Sequence, residues 1–314
     1  MSRDSKHEKG FFDLEVGEVL MTTLVINYKE LSLTNLDREL WPAEGLLKYD
    51  LIRYYIEAAP YLLPHLRNRP LVVQRFPEGI DRAGFYQKNL PEGAPGWLRS
   101  CPVRHGEGKE ILYIVADSIE TLAWLGNQSC LELHPWLSSL GSLENPDFVV
   151  FDLDPMEQST FSDVCTIAVA VKELLARMHL QCYPKLSGAT GIQIYLPVEP
   201  RYTYRQAREF AEAICRRVHL AYPEITTIAR KVEQRKGKLY LDYLQNGRGK
   251  TLAAPYSPRP LPGAPVSMPL TWEDVAGEAI LPGDFNLENV MAHLERQGDL
   301  FAPVLENKQL LPQI

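Results

Sequence analysis

The stretch FVVFDLDP at 148–155 decides how this 314-residue chain is read. Four apolar residues, Phe148 to Phe151, run into Asp152-Leu153-Asp154, and Pro155 stops the run. Side chains alternate faces along a strand, so Asp152 and Asp154 point the same way, with backbones roughly 7 Å apart. Two carboxylates at the end of an apolar strand are costly unless something compensates them. Two divalent ions roughly 3.5–4 Å apart would do so, activating an attacking oxygen and stabilising a leaving phosphate. From this stretch alone the pair could equally cap a strand at a turn.

Such a site needs a further carboxylate. Asp242 in LYLDYLQN (239–246) also closes a short apolar strand, which makes it the natural third ligand. A D-x-D after an apolar strand also serves haloacid-dehalogenase phosphatases, but these expect Thr or Val where Met156 stands.

Around these carboxylates the pattern predicts a strand over 148–153 and an amphipathic helix over 161–178, with Val164, Ile167, Ala168, Val171, Leu174 and Leu175 on one face. Two short strands flank 187–191, a helix covers 204–218, and a strand over 239–241 follows a basic loop at 230–238. Strand, helix, strand, strand, helix, strand is a split βαβ order with a largely antiparallel sheet. Upstream, a helix is expected over 48–66, ended by Pro64 and Pro70, then a strand over 71–76 and a helix over 117–128. After Pro255 the chain is a Pro-rich strap, and from Trp272 onward it reads as short helices and loops. Residues 1–24 are expected to be a polar tail and 301–314 a second one.

Composition is ordinary for a globular protein, 45% hydrophobic and 23% charged, and no apolar run approaches the roughly 18 residues of a membrane span. The charged N-terminus lacks the apolar stretch of a signal peptide. Five scattered cysteines without a C-x-x-C read as reduced thiols in a cytoplasmic protein, neither a zinc site nor a disulfide frame. A net charge of −7 argues against nonspecific coating of nucleic acid, yet leaves room for a local basic patch.

Several segments could hold phosphate. In SGATG (187–191) the glycines can turn backbone N–H groups toward an anion, or make a plain hairpin turn. Arg259 in AAPYSPR can fork onto a triphosphate or stay solvated. His134 in LELHPW faces away from Leu131 and Leu133, as a structural or a pocket histidine would. In RFPEGIDRAGFYQK (75–88), Phe85 and Tyr86 lie among basic residues, as core aromatics of a hairpin or as stacking platforms for bases.

Taken together, D-L-D-P, S-G-x-x-G, D-x-x-Q-N and A-P-Y-S-x-R resemble the polymerase domain of bacterial DNA ligase D, of the archaeo-eukaryotic primase superfamily, from about Thr34 to Asp274. The resemblance implies one α+β domain over 25–300, with an N-terminal α/β half and an RRM-like catalytic half. It implies a nucleotidyltransferase that fills gaps and extends ends in non-homologous end joining, often with ribonucleotides and manganese. Asp152, Asp154 and Asp242 would hold Mn2+ or Mg2+. Ser187, Gly188, Thr190, Gln193, His134, Gln245, Lys250 and Arg259 would line the pocket for NTP or dNTP. Asn35, Arg38 and Lys48 match a pocket for the 5′-phosphate of a downstream strand. Phe85 and Tyr86 match aromatics at the template bend, beside Arg75 and Lys88, and Arg235 matches a loop arginine that organises the primer end. Gapped DNA, a separate ligase and a Ku-like protein are the implied partners, with no membrane, and the place of action is the cytoplasm, at DNA breaks on the nucleoid.

The turn departs from the family's S-G-x-K-G-x-H, since Thr190 replaces the Lys and Gln193 the His. Arg38 stands where Lys is usual. The chain also lacks a K-x-D-G ligase motif, which reads as a standalone polymerase module. A weakly active or non-catalytic DNA-end-binding module of the same fold is the alternative.

Overall fold

The computed structural model describes residues 22–312. Strands β1 (Thr22–Ile26) and β2 (Lys29–Leu33) form a hairpin whose turn residues Asn27 and Tyr28 both take positive φ, as a two-residue turn requires. The tail expected over 1–24 lies outside the described residues up to 21, and residues 22–24 belong to β1. After the short pair β3 (Glu39–Trp41) and β4 (Leu46–Leu47) come α1 (Lys48–Glu57) and α2 (Ala59–Leu66). The one helix expected here is therefore two. Pro60 has no N–H to offer the preceding turn, so the α1 hydrogen bonding ends and α2 restarts with proline in its first turn, while Pro64 sits inside α2.

The first five-stranded sheet comprises β5 (Leu71–Arg75), β6 (Phe85–Gln87), β7 (Ser100–Arg104), β8 (Glu110–Ile114) and, beyond α3 (Ile119–Asn127), β9 (Cys130–Pro135). Strand β9 pairs antiparallel with β5, and its Leu131 and Leu133 enter the main core with α1 and α3.

The second half follows the expected order: β10 (Phe148–Asp154), α4 (Phe161–Ala176), β11 (Tyr183–Leu186), β12 (Ile192–Pro197), α5 (Tyr204–Ala221), β13 (Thr226–Thr227), the short α6 (Val232–Arg235) and β14 (Leu239–Asp242). The sheet order is β11-β12-β10-β14-β13, antiparallel except for β13·β14. Thr160 and Asp163 form a capping box that starts α4, and Thr203 with Gln206 does the same for α5. Both helices cover the sheet face that carries Val149, Phe151 and Leu153.

The opposite face is divided. Phe148, Val150 and Tyr195 are covered by Phe301 and Val304, the latter in α9 (Pro303–Glu306), which follows α7 (Trp272–Gly277) and α8 (Val290–Gln297). Phe301 and Val304, in a segment expected as part of a tail, are thus core, because the apolar end of this face needs a lid. Two residues further along each strand the same face turns polar.

The Pro-rich strap stitches the two halves together. Ala254 N–H donates to Leu133 O (2.8 Å) and Ser257 Oγ accepts from Leu133 N–H (3.0 Å), tying it to β9. Leu186 N–H donates to Met268 O (2.7 Å), tying it to β11. The five cysteines are free and buried, as expected. No helix among the described residues is long and apolar enough to cross a membrane.

Candidate active site

Register builds the polar end of the second sheet. Asp152 lies opposite Gln193 on one side and opposite Asp242 on the other, and Gln193 lies opposite Lys185. Directly paired residues share a face, so Lys185, Gln193, Asp152 and Asp242 form one row across four strands, with Asp154 two residues along β10 on the same face. The three carboxylates expected to converge are therefore neighbours.

Their electrostatics are strained. Burial, then Asp154 and Asp242, drive the Asp152 pKa well above the carboxylate range, against a hydrogen bond from Gln193 and the Lys185 charge. Burial and Asp242 push Asp154 up to about 6, against Arg235. Asp152 Oδ1 is buried with no hydrogen-bond partner, whereas Asp242 Oδ1 accepts from Leu244 N–H (2.9 Å) and Tyr240 O–H (3.2 Å). Among the described residues no three acidic, imidazole or thiol groups converge as a cage for a single ion. The aspartates instead line a row and a strand, which suits ions shared between neighbours, and an all-oxygen donor set with one orphaned atom fits a hard divalent cation.

The turn at 187–191 lies beside this row. Gly191 must be glycine because a Cβ there would stand 2.1 Å from Leu153 O, and Gly188 takes φ +75° with the strap backbone close by. Ser187 Oγ accepts from the N–H groups of Ala189 and Gly191 (3.1 Å each), so the hydroxyl shapes the turn. Thr190 is exposed. Gln193 faces the site, opposite Asp152, but its Oε1 accepts from Lys185 Nζ (2.6 Å).

Arg259 reaches the same place from the strap. Its Nη1 donates to Ser187 O and its Nε to Glu132, whose other oxygen meets His134 Nε2 at 2.8 Å. Burial works to raise the Glu132 pKa, but bonds from His134 and Arg259 and their charges outweigh it, leaving it lowered. Glu132, unassigned in the sequence reading, is the joint of this group. The signal was its place two residues before His134, which puts both on one face of β9.

The D-x-x-Q-N segment contributes unevenly. Gln245 is half-buried and Lys250 exposed. Asn246 is buried and clamps Val150, accepting from its N–H (2.8 Å) and donating to its O (2.7 Å), which anchors β10. Arg235 stacks on Tyr240, 3.6 Å from the ring centroid. Tyr240 pairs with Asp154 across β10 and β14, which brings the arginine to the aspartates.

On the first half, Asn35 and Arg38 line an open depression of about 640 Å³, which Asp37, Glu78 and Asp81 also line, and Arg38 Nη1 donates to Glu78. Lys48 is buried at the start of α1 and does not line it. Its Nζ donates to Thr34 O (2.6 Å), and burial, then Arg38 and Arg75, lower its pKa to about 8. Phe85 and Tyr86 on β6 are 47% and 60% exposed, and the Tyr86 ring meets His134 edge-on at 5.8 Å. Arg75 lies 5.5 Å from the Phe85 ring, with its guanidinium bound to Gln87 and Gln128, and Lys88 is exposed at the end of β6.

Comparison with known proteins agrees with this layout. The family described as LigD, primase-polymerase domain, matches residues 47–301. The bifunctional non-homologous end joining protein LigD of Bacillus subtilis is 37% identical over 90% of this chain, and the multifunctional LigD of Mycolicibacterium smegmatis 33% identical over 88%. The chain spans 45% and 36% of those relatives' lengths. The solved polymerase domain of Mycobacterium tuberculosis ligase D in complex with DNA superposes with a TM-score of 0.82 at 32% identity, covering 89% of this chain and 99% of that one. With the α+β fold, the aspartate row and this match in agreement, the chain belongs to the LigD primase-polymerase domain family.

Proposed function

We propose that this chain is a divalent-metal-dependent nucleotidyltransferase that adds nucleotides, ribonucleotides in preference, at gapped or broken DNA ends carrying a 5′-phosphate, during non-homologous end joining. The observation that carries this reading is the register pair Asp152–Asp242 with Asp154 on the same face and Asp152 Oδ1 unpartnered. Asp152, Asp154 and Asp242 would hold Mn2+ or Mg2+, which supplies charge neutralisation and activation of the attacking hydroxyl.

The chain's own groups do the positioning. Arg259, held by Glu132 and Ser187, presents a guanidinium edge to a triphosphate, with His134 joined to it through Glu132, and the family resemblance assigns Gln245 and Lys250 to the same pocket. Asn35 and Arg38 take the downstream 5′-phosphate, with Arg38 exchanging Glu78 for the phosphate and the buried Lys48 ammonium, close enough to bear on Arg38, adding positive charge. Phe85 and Tyr86 offer stacking faces to template bases, while Arg75 braces Phe85 from behind, Lys88 holds backbone phosphate, and Arg235 orders the primer side of the site.

The relatives' names as end-joining proteins and the DNA bound to the mycobacterial domain support this setting. Incubation of a 5′-phosphorylated gapped duplex with manganese and labelled nucleotides tests it. Extension by the unmodified protein, lost in Asp152→Ala, is the expected result. DNA binding without extension would point instead to an end-binding module, the reading that uncharged Thr190 and Gln193 favour.

A further inference from the structure

The row across β11, β12, β10 and β14 contains a lysine with no role so far. Lys185 is completely buried, and its ammonium meets two neutral partners, Gln193 Oε1 and Ser267 Oγ, at 2.6 Å each. Ser267 Oγ donates its own proton to Leu186 O (2.8 Å), so toward Lys185 it can only accept. Among the described residues no carboxylate pairs directly with Lys185. The nearest acid in the row is Asp152, on the far side of Gln193. Arg259, close enough to bear on Lys185, adds like charge. A buried ammonium without a direct counter-ion destabilises a fold, and an apolar side chain of the same length would pack there without that penalty.

The chemistry of the row settles how Gln193 is turned. Burial, then Arg259, lower the Lys185 pKa to about 7 against the pull of Asp152. In its protonated form it is a donor only, so the oxygen of the Gln193 amide faces Lys185 and its N–H2 faces the other way, toward Asp152. Without Lys185 the amide could flip and set its carbonyl oxygen against a carboxylate.

We propose that Lys185 is a positioning residue for the aspartate site: by holding the Gln193 oxygen it aims the Gln193 N–H2 at Asp152, and so fixes which Asp152 oxygen is left to face a divalent ion. The inference rests on the polymerase reading above. It assigns to this chain's glutamine a task distinct from contact with triphosphate.

The test is a cycle of Lys185→Met, Gln193→Leu and the double variant, each assayed for manganese-dependent extension, thermal stability and binding of Mn2+ alone. Each single change lowers kcat about ten- to a hundredfold with nucleotide KM changed less than about threefold. The double variant lies within about threefold of the worse single one, because the two residues act in series. Lys185→Met keeps or raises Tm, which a merely structural lysine would not allow. Gln193→Leu, which alters no charge, weakens binding of Mn2+ to the protein without DNA or nucleotide about three- to tenfold, read from the electron paramagnetic resonance signal of free Mn2+. Gln193→His, able to accept on one nitrogen and donate on the other, restores most of the kcat. Near-normal kcat in Lys185→Met, multiplicative losses in the double variant, or a fall in Tm that tracks the loss of rate would each overturn the proposal. Asp152→Ala separates the two readings. If the unmodified protein does not extend DNA, or Asp152→Ala does, the polymerase reading fails. If both behave as expected and Lys185→Met stays active, this inference alone fails.

Discussion

The aspartate row and the Asn35–Arg38 depression are both charged, and they are built in opposite ways. The row lies on adjacent strands, where register fixes each neighbour, and its like charges are partly or, at Asp152, fully buried, with Asp152 Oδ1 unpartnered. The depression is assembled from the segments 35–42 and 78–82 and is open to solvent, and of its two cations, Arg38 and Arg82, Arg38 is already paired with Glu78. On the proposed reading the first gains by binding divalent cations, whose charge offsets the repulsion between its carboxylates. On the same reading Arg38 must exchange Glu78 for its ligand, so the net gain from that contact is smaller.

That contrast orders the expected effects. Asp152→Ala, Asp154→Ala or Asp242→Ala should each cut nucleotide addition by at least about a thousandfold, since each removes charge that the transition state requires. The same changes should leave DNA affinity within about twofold and leave Tm unchanged or higher, because they relieve like-charge repulsion. Denaturation curves and gel-shift titrations on the three proteins check this. A collapse in Tm would make the row a structural element.

Next in size is the group around Glu132. Glu132→Gln keeps the shape but removes the charge that holds Arg259 and His134. It should raise nucleotide KM about tenfold through a misplaced guanidinium, with the 5′-phosphate preference intact. Steady-state extension on one gapped substrate measures both quantities, and an unchanged KM would return Arg259 to the solvated side chain that the sequence allowed.

At the depression, removal of the 5′-phosphate should weaken binding about tenfold, a difference that Arg38→Ala with Lys48→Met should erase. Lys48 adds a pH signature. Its ammonium persists below about 8 and is lost above it, so the advantage of phosphorylated DNA should shrink as pH rises from 7 to 9. Fluorescence anisotropy across that range reads it directly, and a flat profile would detach Lys48 from the phosphate. The smallest effect belongs to Thr190→Lys. This exposed position accepts the longer side chain freely, and a new cation at the turn should lower nucleotide KM a few-fold, about 0.5–1 kcal/mol, less so in added salt.

The same contrast explains what could be read in the sequence. Alternation along 148–154 placed Asp152 and Asp154 on one face, and the helical periods of α4 and α5 placed the covering layer, because both are local consequences of strand and helix geometry. Pairing is not local. That Asp242 sits opposite Asp152, or Lys185 opposite Gln193, depends on a register set across nearly a hundred residues of chain in the first case. Lys185 escaped notice because a lysine beside a turn reads as solvated, and only the strap laid over β11 buries it. The burial of Phe301 and Val304 is hidden in the sequence for a related reason: nothing near them in sequence shows that the end of β10 carrying Phe148 and Val150 needs a cover.

The central claim, that the aspartate row is a seat for two divalent ions, is tested most directly by counting them. Mn2+ bound per chain would be measured from the resonance signal of free Mn2+, with gapped DNA and a non-hydrolysable nucleotide present. About two ions are expected for the unmodified protein and a loss of at least one in Asp152→Asn, whose neutral amide keeps the shape but not the charge. Equal Mn2+ binding by the two proteins would contradict it.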